Sequence, residues 1–136
     1  MQFKEIHIGK LIEARLNEVD IDFARLNNFL QCTDDEIKET FSKESIDAMM
    51  LLRWSKILEY DFFRVYSQHL IFYSPPSKRN LDDKKSSLPQ FRKNIYTQEV
   101  IDFIIKQIRN GNKTKIQIID EYGIPKTTLY KWLKKY

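Results

Sequence analysis

Hydrophobic residues in the first half of the chain recur at every third or fourth position, which is the spacing of one face of an α-helix. Polar residues of the kind that cap helices precede several of these runs. One of them, Thr33, is followed by Glu36 at the spacing of a capping box, in which each side chain accepts a hydrogen bond from the other residue's backbone amide. The pattern predicts five short helices over residues 1–73, beginning near Ile8, Asp22, Thr33, Ser45 and Asp61.

Large side chains are concentrated on the predicted inner faces of these helices. The second helix is expected to bury Phe23, Leu26, Phe29 and Leu30. Because so small a module rarely buries many large side chains alone, the aromatic residues of the fifth helix have two interpretations, core packing or a dimer face. Those aromatic residues are Phe62, Phe63, Tyr66, Phe72 and Tyr73.

The helical spacing returns after Thr97, which can cap the first of three further helices in residues 95–136. Gly123 is expected to end the second of these helices, and Pro125 to open the third. The predicted inner positions are Val100, Phe103, Ile104 and Ile108 in the first helix, Ile116 and Ile119 in the second, and Leu129, Trp132 and Leu133 in the third.

The last predicted helix has one apolar edge and one polar edge. At about 100° per residue, its lysine, threonine and tyrosine side chains form a stripe opposite Leu129, Trp132 and Leu133. A basic, hydroxyl-bearing helix that is held against a core by its reverse face is suited to the major groove of DNA. The residues of this helix predicted to bind DNA are Lys126, Thr127, Thr128, Tyr130, Lys131, Lys134 and Lys135.

Charge is distributed unevenly between the two halves of the chain. Residues 1–74 contain 9 Lys/Arg and 13 Asp/Glu, a net charge of −4, whereas residues 75–136 contain 14 and 6, a net charge of +8. This asymmetry indicates two functional halves, of which the basic one meets a polyanion. A lysine-rich face that is only solvated remains the alternative.

Between the two halves, residues 74–94 contain three of the four prolines and little apolar periodicity, which predicts a flexible basic linker. Arg92 and Lys93 lie at its end, immediately before the C-terminal helices. They are candidates for a basic arm that contacts DNA, and a linker that only aids solubility is an equal alternative. With Lys134 and Lys135 they are expected to supply mostly sequence-independent attraction to phosphates.

The residues that catalysis and metal binding require are sparse in this chain. One cysteine, Cys32, excludes an intramolecular disulfide, and with two isolated histidines it argues against a zinc centre. The three glycines are far apart, so there is no phosphate-binding loop, and neither histidine belongs to a nucleophile motif. We therefore predict a protein that is not an enzyme, without cofactor or metal. The longest apolar run is five residues and the N-terminus has no apolar signal core, so we expect no membrane contact and a cytoplasmic location.

The segment from about Tyr96 to Tyr136 resembles the helix-turn-helix of transposase DNA-binding subunits and of related resolvase-like and homeodomain-like modules. The resemblance lies in Ile119, in Tyr122-Gly123-Ile124 and in Thr128-Leu129-Tyr130-Lys131-Trp132-Leu133. In that family the second helix of the motif enters the major groove. The resemblance assigns the position of that helix to Lys126 through Lys134. Such modules usually carry a serine or threonine cap at the position of Pro125, so here the capping hydrogen bond must come from elsewhere or be absent.

The segment from about Ile6 to Phe63 is similar to the lambda-repressor-type (Cro/C1, or XRE) module. The resemblance implies that its third helix binds DNA. That helix instead opens with Asp34, Asp35 and Glu36, and acids facing a duplex repel the phosphates. Asn27 also replaces a small residue that lets the second and third helices approach each other. We therefore expect a degenerate module that keeps the fold, has weakened or lost its DNA contact, and serves self-association or partner docking. The residues that carry this resemblance are Ile8-Gly9-Lys10-Leu11-Ile12, Leu26, Leu30-Gln31-Cys32-Thr33, Ile37, Ser45-Ile46-Asp47, Leu51-Leu52-Arg53 and Tyr60-Asp61-Phe62-Phe63.

Together these patterns predict an all-α protein made of two small helical modules and a basic linker. Residues 1–73 are the repressor-like, dimerising module, residues 74–94 the linker, and residues 95–136 the module that binds double-stranded DNA. The predicted function is that of the non-catalytic recognition subunit of a bacterial insertion-element transposase. It would act as a homodimer, because one small module buries little surface on DNA, and with a separate catalytic subunit. The alternatives are a stand-alone transcriptional regulator with two helix-turn-helix modules and a protein-interaction adaptor with a non-specific basic tail.

Overall fold

The computed structural model describes residues 4–74, 87–89 and 95–136. These residues form eight α-helices and no β-strand, which confirms the prediction of an all-α fold. The helices are α1 (Ile8–Glu18), α2 (Phe23–Leu30), α3 (Asp34–Phe41), α4 (Ala48–Ile57), α5 (Phe63–Tyr73), α6 (Gln98–Arg109), α7 (Lys115–Tyr122) and α8 (Lys126–Lys135).

The chain divides into two compact units, residues 2–67 and residues 68–136. The division lies within α5, whereas the sequence pattern placed the end of the first module at Tyr73. Buried contacts explain this difference. Gln68, near the middle of α5, is 1% exposed, and its amide binds the chain before α6. Its Nε2 donates to the Ile95 carbonyl oxygen (2.7 Å) and its Oε1 accepts from the Thr97 amide (3.3 Å). Most of the predicted linker, residues 74–94, lies outside the described residues.

Side-chain caps define the starts of the first four helices of the N-terminal unit. The Asp22 carboxylate accepts from the Arg25 amide (2.9 Å), and the Thr33 hydroxyl accepts from the Glu36 amide (3.3 Å), as the sequence predicted. The second hydrogen bond of the predicted capping box, from the Thr33 amide to the Glu36 side chain, is not formed. The fourth helix begins later than expected. Asp47, rather than Ser45, accepts from the amides of the first turn of α4, because a carboxylate is at least as good a cap as a hydroxyl.

The buried core of the N-terminal unit comes from α1 to α4 and from the segment between α4 and α5, and it includes Trp54 and Phe62. Phe62 is fully buried and Tyr66 is half-buried, so core packing accounts for these two aromatic residues. Phe29, expected on the inner face of α2, is 43% exposed. Leu26 and Leu30 of that helix are buried, and Phe23 packs against the core as a partly buried side chain. The buried core residues are Ile8, Ile12, Leu26, Leu30, Ile37, Leu51, Trp54, Ile57, Leu58 and Phe62.

Gly9 marks a close approach between α1 and the end of α3. A Cβ at this position would lie 2.4 Å from the Thr40 carbonyl oxygen, 2.5 Å from that of Phe41 and 2.7 Å from that of Lys43. The Gly9 amide also donates to the Lys43 carbonyl oxygen at 3.0 Å. The start of α1 therefore rests directly on the backbone that ends α3, and only a glycine fits there.

The C-terminal unit contains the last residues of α5 and the three helices α6, α7 and α8. Phe72 of α5 makes edge-on ring contacts with Phe103 (5.1 Å between centroids) and Tyr122 (5.4 Å). Phe72 therefore packs within this unit, which favours core packing over a dimer face as the interpretation of this aromatic residue. The buried hydrophobic residues of the unit are Ile71, Val100, Ile104, Ile105, Ile118, Ile124, Leu129 and Trp132.

Two predicted inner positions of this unit are wrong. Ile116 is 72% exposed, and Ile118 is fully buried in its place. The two isoleucines lie about 200° apart on a helix, so only one can face the core. In α6, Phe103 is 40% exposed and Ile105 is buried instead, so the buried face is rotated from the predicted one.

Candidate nucleic-acid interface

α7 is bounded by a capping box at its start and by a left-handed glycine at its end, where the turn to α8 begins. Thr114 and Gln117 exchange hydrogen bonds at 3.2 Å and 2.9 Å, which fixes the first turn of α7. α7 ends at Gly123, which has φ 62° and ψ 26°, a conformation in which glycine carries no Cβ penalty. Ile124 then returns to the core at 1% exposure. The chain therefore forms one helix, a short turn and a second helix over residues 115–135.

α8 follows its N-cap residue Pro125, and no side-chain capping hydrogen bond is formed there, so the second of the two alternatives left open by the sequence holds. Its reverse face is anchored by the fully buried Leu129 and by Trp132, which is 9% exposed. The Tyr96 ring meets the Trp132 ring edge-on at 4.9 Å between centroids. The end of α8 is also tied down, because the Arg109 guanidinium donates to the Tyr136 carbonyl oxygen. A helix held at its reverse face and at its end presents a fixed outer face.

The outer face of α8 contains a shallow, open depression of about 380 Å³. Five of the predicted DNA-binding residues line it, and all five are exposed: Lys126, Thr127, Tyr130, Lys131 and Lys134. We call this set the α8 face. Three of its members are lysines, and none is an acid. The fold therefore brings together a positively charged surface that also carries two hydroxyl groups.

The other predicted DNA-binding residues do not line this depression. Thr128 is half-buried, at the edge of the stripe next to Leu129. Lys135 is exposed, and its ammonium group lies 5.1 Å from the centroid of the Tyr136 ring. Arg92 and Lys93 lie outside the described residues.

A further lysine, which the sequence pattern did not single out, approaches the α8 face from α7. The Lys115 ammonium group lies 5.1 Å from the centroid of the Tyr130 ring, and that of Lys126 lies 5.6 Å from the same centroid. Both distances are within the range of cation–π attraction. Lys115 and Tyr130 are 15 positions apart, so only the folded turn between the helices brings them together.

The neighbouring Lys113 has a different role. Its ammonium group donates to the Glu121 carboxylate and, at 3.2 Å, to the Tyr122 hydroxyl. The hydrogen bond to Glu121, followed by that to Tyr122, raises the pKa of Lys113 above its ordinary value. Since a carboxylate already neutralises its charge, Lys113 stabilises α7 rather than adding to the basic surface.

In the N-terminal unit the start of α3 is acidic. Asp34, Asp35 and Glu36 form the first turn of α3, and all three are exposed. The Asn27 side chain, at the position where a small residue was expected, donates to the Cys32 carbonyl oxygen at 2.8 Å. The Asn27 side chain therefore stabilises the turn between α2 and α3.

Cys32 lies in that same turn as a half-buried thiol. Its Sγ donates to the Leu30 carbonyl oxygen at 3.3 Å. Burial, and then a hydrogen bond with Glu36, raises the pKa of Cys32 above its ordinary value. A raised pKa keeps the thiol protonated near neutral pH, which makes it a poor nucleophile.

Within the described residues there is no group of three or more His, Cys, Asp or Glu side chains that could hold a metal ion. Nor does that part of the chain contain a helix long and apolar enough to cross a membrane. Comparisons with protein-family models, with curated proteins and with solved structures found no match. Any assignment of function to this chain therefore rests on its own residues and on their geometry.

Proposed function

We propose that this protein binds double-stranded DNA with α8 in the major groove. The observation that carries the proposal is the α8 face, where three lysines and two hydroxyl-bearing residues line one exposed depression. The major groove of B-DNA is about 12 Å wide and admits one α-helix. A recognition helix must also be held rigidly from behind, and Leu129 and Trp132 do this for α8.

The residues of the α8 face divide into two roles under this proposal. Lys131 and Thr127 are exposed on the α8 face and contact base edges, because lysine can donate to guanine and threonine to several bases. Lys134, together with Lys135, lies near the end of the helix and contacts phosphates. Phosphate contacts set affinity and its salt dependence, and base contacts set sequence preference.

The biological setting that best fits the residues is the DNA-recognition subunit of a bacterial insertion element. The resemblance of Tyr122-Gly123-Ile124 and the following helix to transposase helix-turn-helix modules supports this setting. Strand cleavage would then be performed by a separate catalytic subunit. A stand-alone transcriptional regulator uses the same DNA-binding chemistry and remains the second candidate. Binding to the ends of an element supports the first, and binding to close inverted half-sites near a promoter supports the second.

The N-terminal unit has an assembly role in this proposal. The first turn of α3, which the repressor-like resemblance assigns to DNA, exposes three acids that would repel phosphates. Large apolar side chains are exposed elsewhere on the unit, among them Phe29 at 43% and Met49 at 64%. Contact with a second copy would cover such side chains and place two α8 helices on one DNA site.

The proposal is tested with the full chain and fluorescent duplexes selected from a random-sequence pool. Lys131→Ala should weaken binding to the selected duplex by about 1–3 kcal/mol, roughly 5- to 150-fold, and weaken binding to a scrambled duplex much less. Lys10→Ala, which removes an exposed lysine of α1, is the charge-matched control and should change neither affinity. If the pool yields no preferred sequence and Lys131→Ala behaves like Lys10→Ala, the adaptor with a non-specific basic tail replaces this proposal.

A further inference from the structure

We propose that Tyr130 is a positioning residue, which holds the ammonium group of Lys115 at the α8 face so that Lys115 contacts a DNA phosphate. This inference rests on the proposed DNA binding and assigns a role to a lysine of α7 that the sequence pattern did not select. It also changes the role of Tyr130, whose place in the stripe otherwise suggests contact with base edges.

The geometry around the Tyr130 ring is the first support. Two ammonium groups lie near its centroid, that of Lys115 at 5.1 Å and that of Lys126 at 5.6 Å. They come from different helices, so the ring connects the start of α7 to the start of α8. The negative face of an aromatic ring attracts cations. Tyr130 therefore brings two positive charges together that would otherwise repel each other.

The local charge balance is the second support. The first turn of α7 contains no acid, and neither does that of α8. This distinguishes Lys115 from Lys113 two positions earlier, which is paired with Glu121. Like-charged side chains gathered without a carboxylate in these turns form a surface for an anion, and a phosphodiester on the rim of the major groove is the anion that α8 would meet.

A consequence for sequence preference follows from this arrangement. A ring that attracts two ammonium groups acts through its π-system, and the Tyr130 hydroxyl is not needed for that purpose. Tyr130→Phe should therefore keep both affinity and preference, whereas Tyr130→Leu should weaken binding to every duplex by the same factor. The wild-type ratio of affinities for selected and scrambled duplexes should persist in both variants.

The test uses the full chain and fluorescence anisotropy with the selected and the scrambled duplex from 50 to 200 mM KCl. Lys115→Gln should reduce the slope of log affinity against log salt by about 0.9, the value for one duplex phosphate. The ratio of wild-type affinity to Lys115→Gln affinity for a duplex should accordingly fall by about 3.5-fold between 50 and 200 mM KCl. Lys10→Gln is the control and should leave the slope unchanged. The losses of DNA-binding free energy caused by Lys115→Gln and by Tyr130→Leu should be less than additive in the double variant, because both substitutions remove the same contact of Lys115 with a phosphate.

A readout without DNA tests the positioning itself. Ring currents should shift the nuclear magnetic resonances of the Lys115 side-chain methylene protons upfield in the wild type and in Tyr130→Phe, and Tyr130→Leu should abolish the shift. The inference is overturned if Lys115→Gln has the same salt slope as Lys10→Gln, or if Tyr130→Phe narrows the preference between the two duplexes. If the wild type binds neither duplex, the proposed function fails as well, which separates that result from a failure of Lys115 alone.

Discussion

Replacing Gly9 with alanine should destabilise the N-terminal unit, although helix propensity alone predicts the opposite. Alanine is favoured over glycine in a helix by up to about 1 kcal/mol. Against this gain, the new methyl group would lie 2.4–2.7 Å from three backbone carbonyl oxygens, those of Thr40, Phe41 and Lys43. Backbone cannot rotate away as a side chain can. The cost is therefore near the upper end of the 1–3 kcal/mol typical of overpacking, and the net loss is about 2 kcal/mol.

The two tryptophans make this loss measurable in one unit. Trp54 is buried in the N-terminal unit and Trp132 lies in the C-terminal one, so a Trp132→Phe background leaves Trp54 as the only tryptophan. Urea unfolding followed by Trp54 fluorescence should show a midpoint lower by about 1–2 M for Gly9→Ala, at a slope of about 1–2 kcal/mol per M. Lys10→Ala, at the next position of α1, is the control for propensity and should change the midpoint little. Equal or greater stability of Gly9→Ala would refute the close approach of α1 to the end of α3.

Three further predictions follow from the packing and the pKa shifts. Trp132→Ala should destabilise the C-terminal unit by about 3–5 kcal/mol in thermal or urea unfolding, and a loss below about 1 kcal/mol would contradict its role as the anchor of α8. Cys32 should react with a disulfide reagent more slowly in the native protein than in urea at pH 8, because burial raises its pKa; equal rates would contradict this. The raised pKa of Lys113 means that its contribution to stability is complete below its ordinary pKa of about 10.5 and is lost as pH rises through the folded value. The stability difference between wild type and Lys113→Met should therefore be constant from pH 7 to 9 and shrink only above about pH 10.5, and a difference that does not change there would contradict the pairing with Glu121.

Helix number and the main capping residues were predictable from the sequence because each depends on a few neighbouring residues. Asp22 and Thr33 cap the helices that follow them, as expected. Gly123 adopts the left-handed conformation that ends α7. These features follow from local hydrogen bonding and backbone sterics, which depend only on residues close together in the sequence.

The rotation of a short helix was harder to predict. α7 has eight residues and contains three isoleucines, so its buried side could not be chosen from periodicity alone. The choice of Ile118 over Ile116 is made by the helices against which α7 packs. The same reason explains Phe103, because α6 has more apolar residues than its buried face can hold.

Contacts between residues distant in sequence could not be predicted at all. Gln68 reaches the backbone of Ile95 and Thr97, which moves the division between the units into α5. Lys115 reaches Tyr130 across the turn. Neither pairing has a local pattern, since each depends on how the helices pack. The polar stripe of α8 was predictable because one helix forms all of it. The approach of Lys115 from α7 to the α8 face was not predictable, because it depends on how the two helices pack.

Entry of α8 into the major groove is tested most directly by methylation interference on a selected duplex. Methylation of guanine N7 modifies the major groove, and methylation of adenine N3 modifies the minor groove. If α8 enters the major groove, the full chain enriches a defined motif and guanine N7 methylation within that motif blocks binding, with the block relieved at one position in Lys131→Ala. Enrichment of no motif, or interference only from adenine N3, would contradict entry into the major groove.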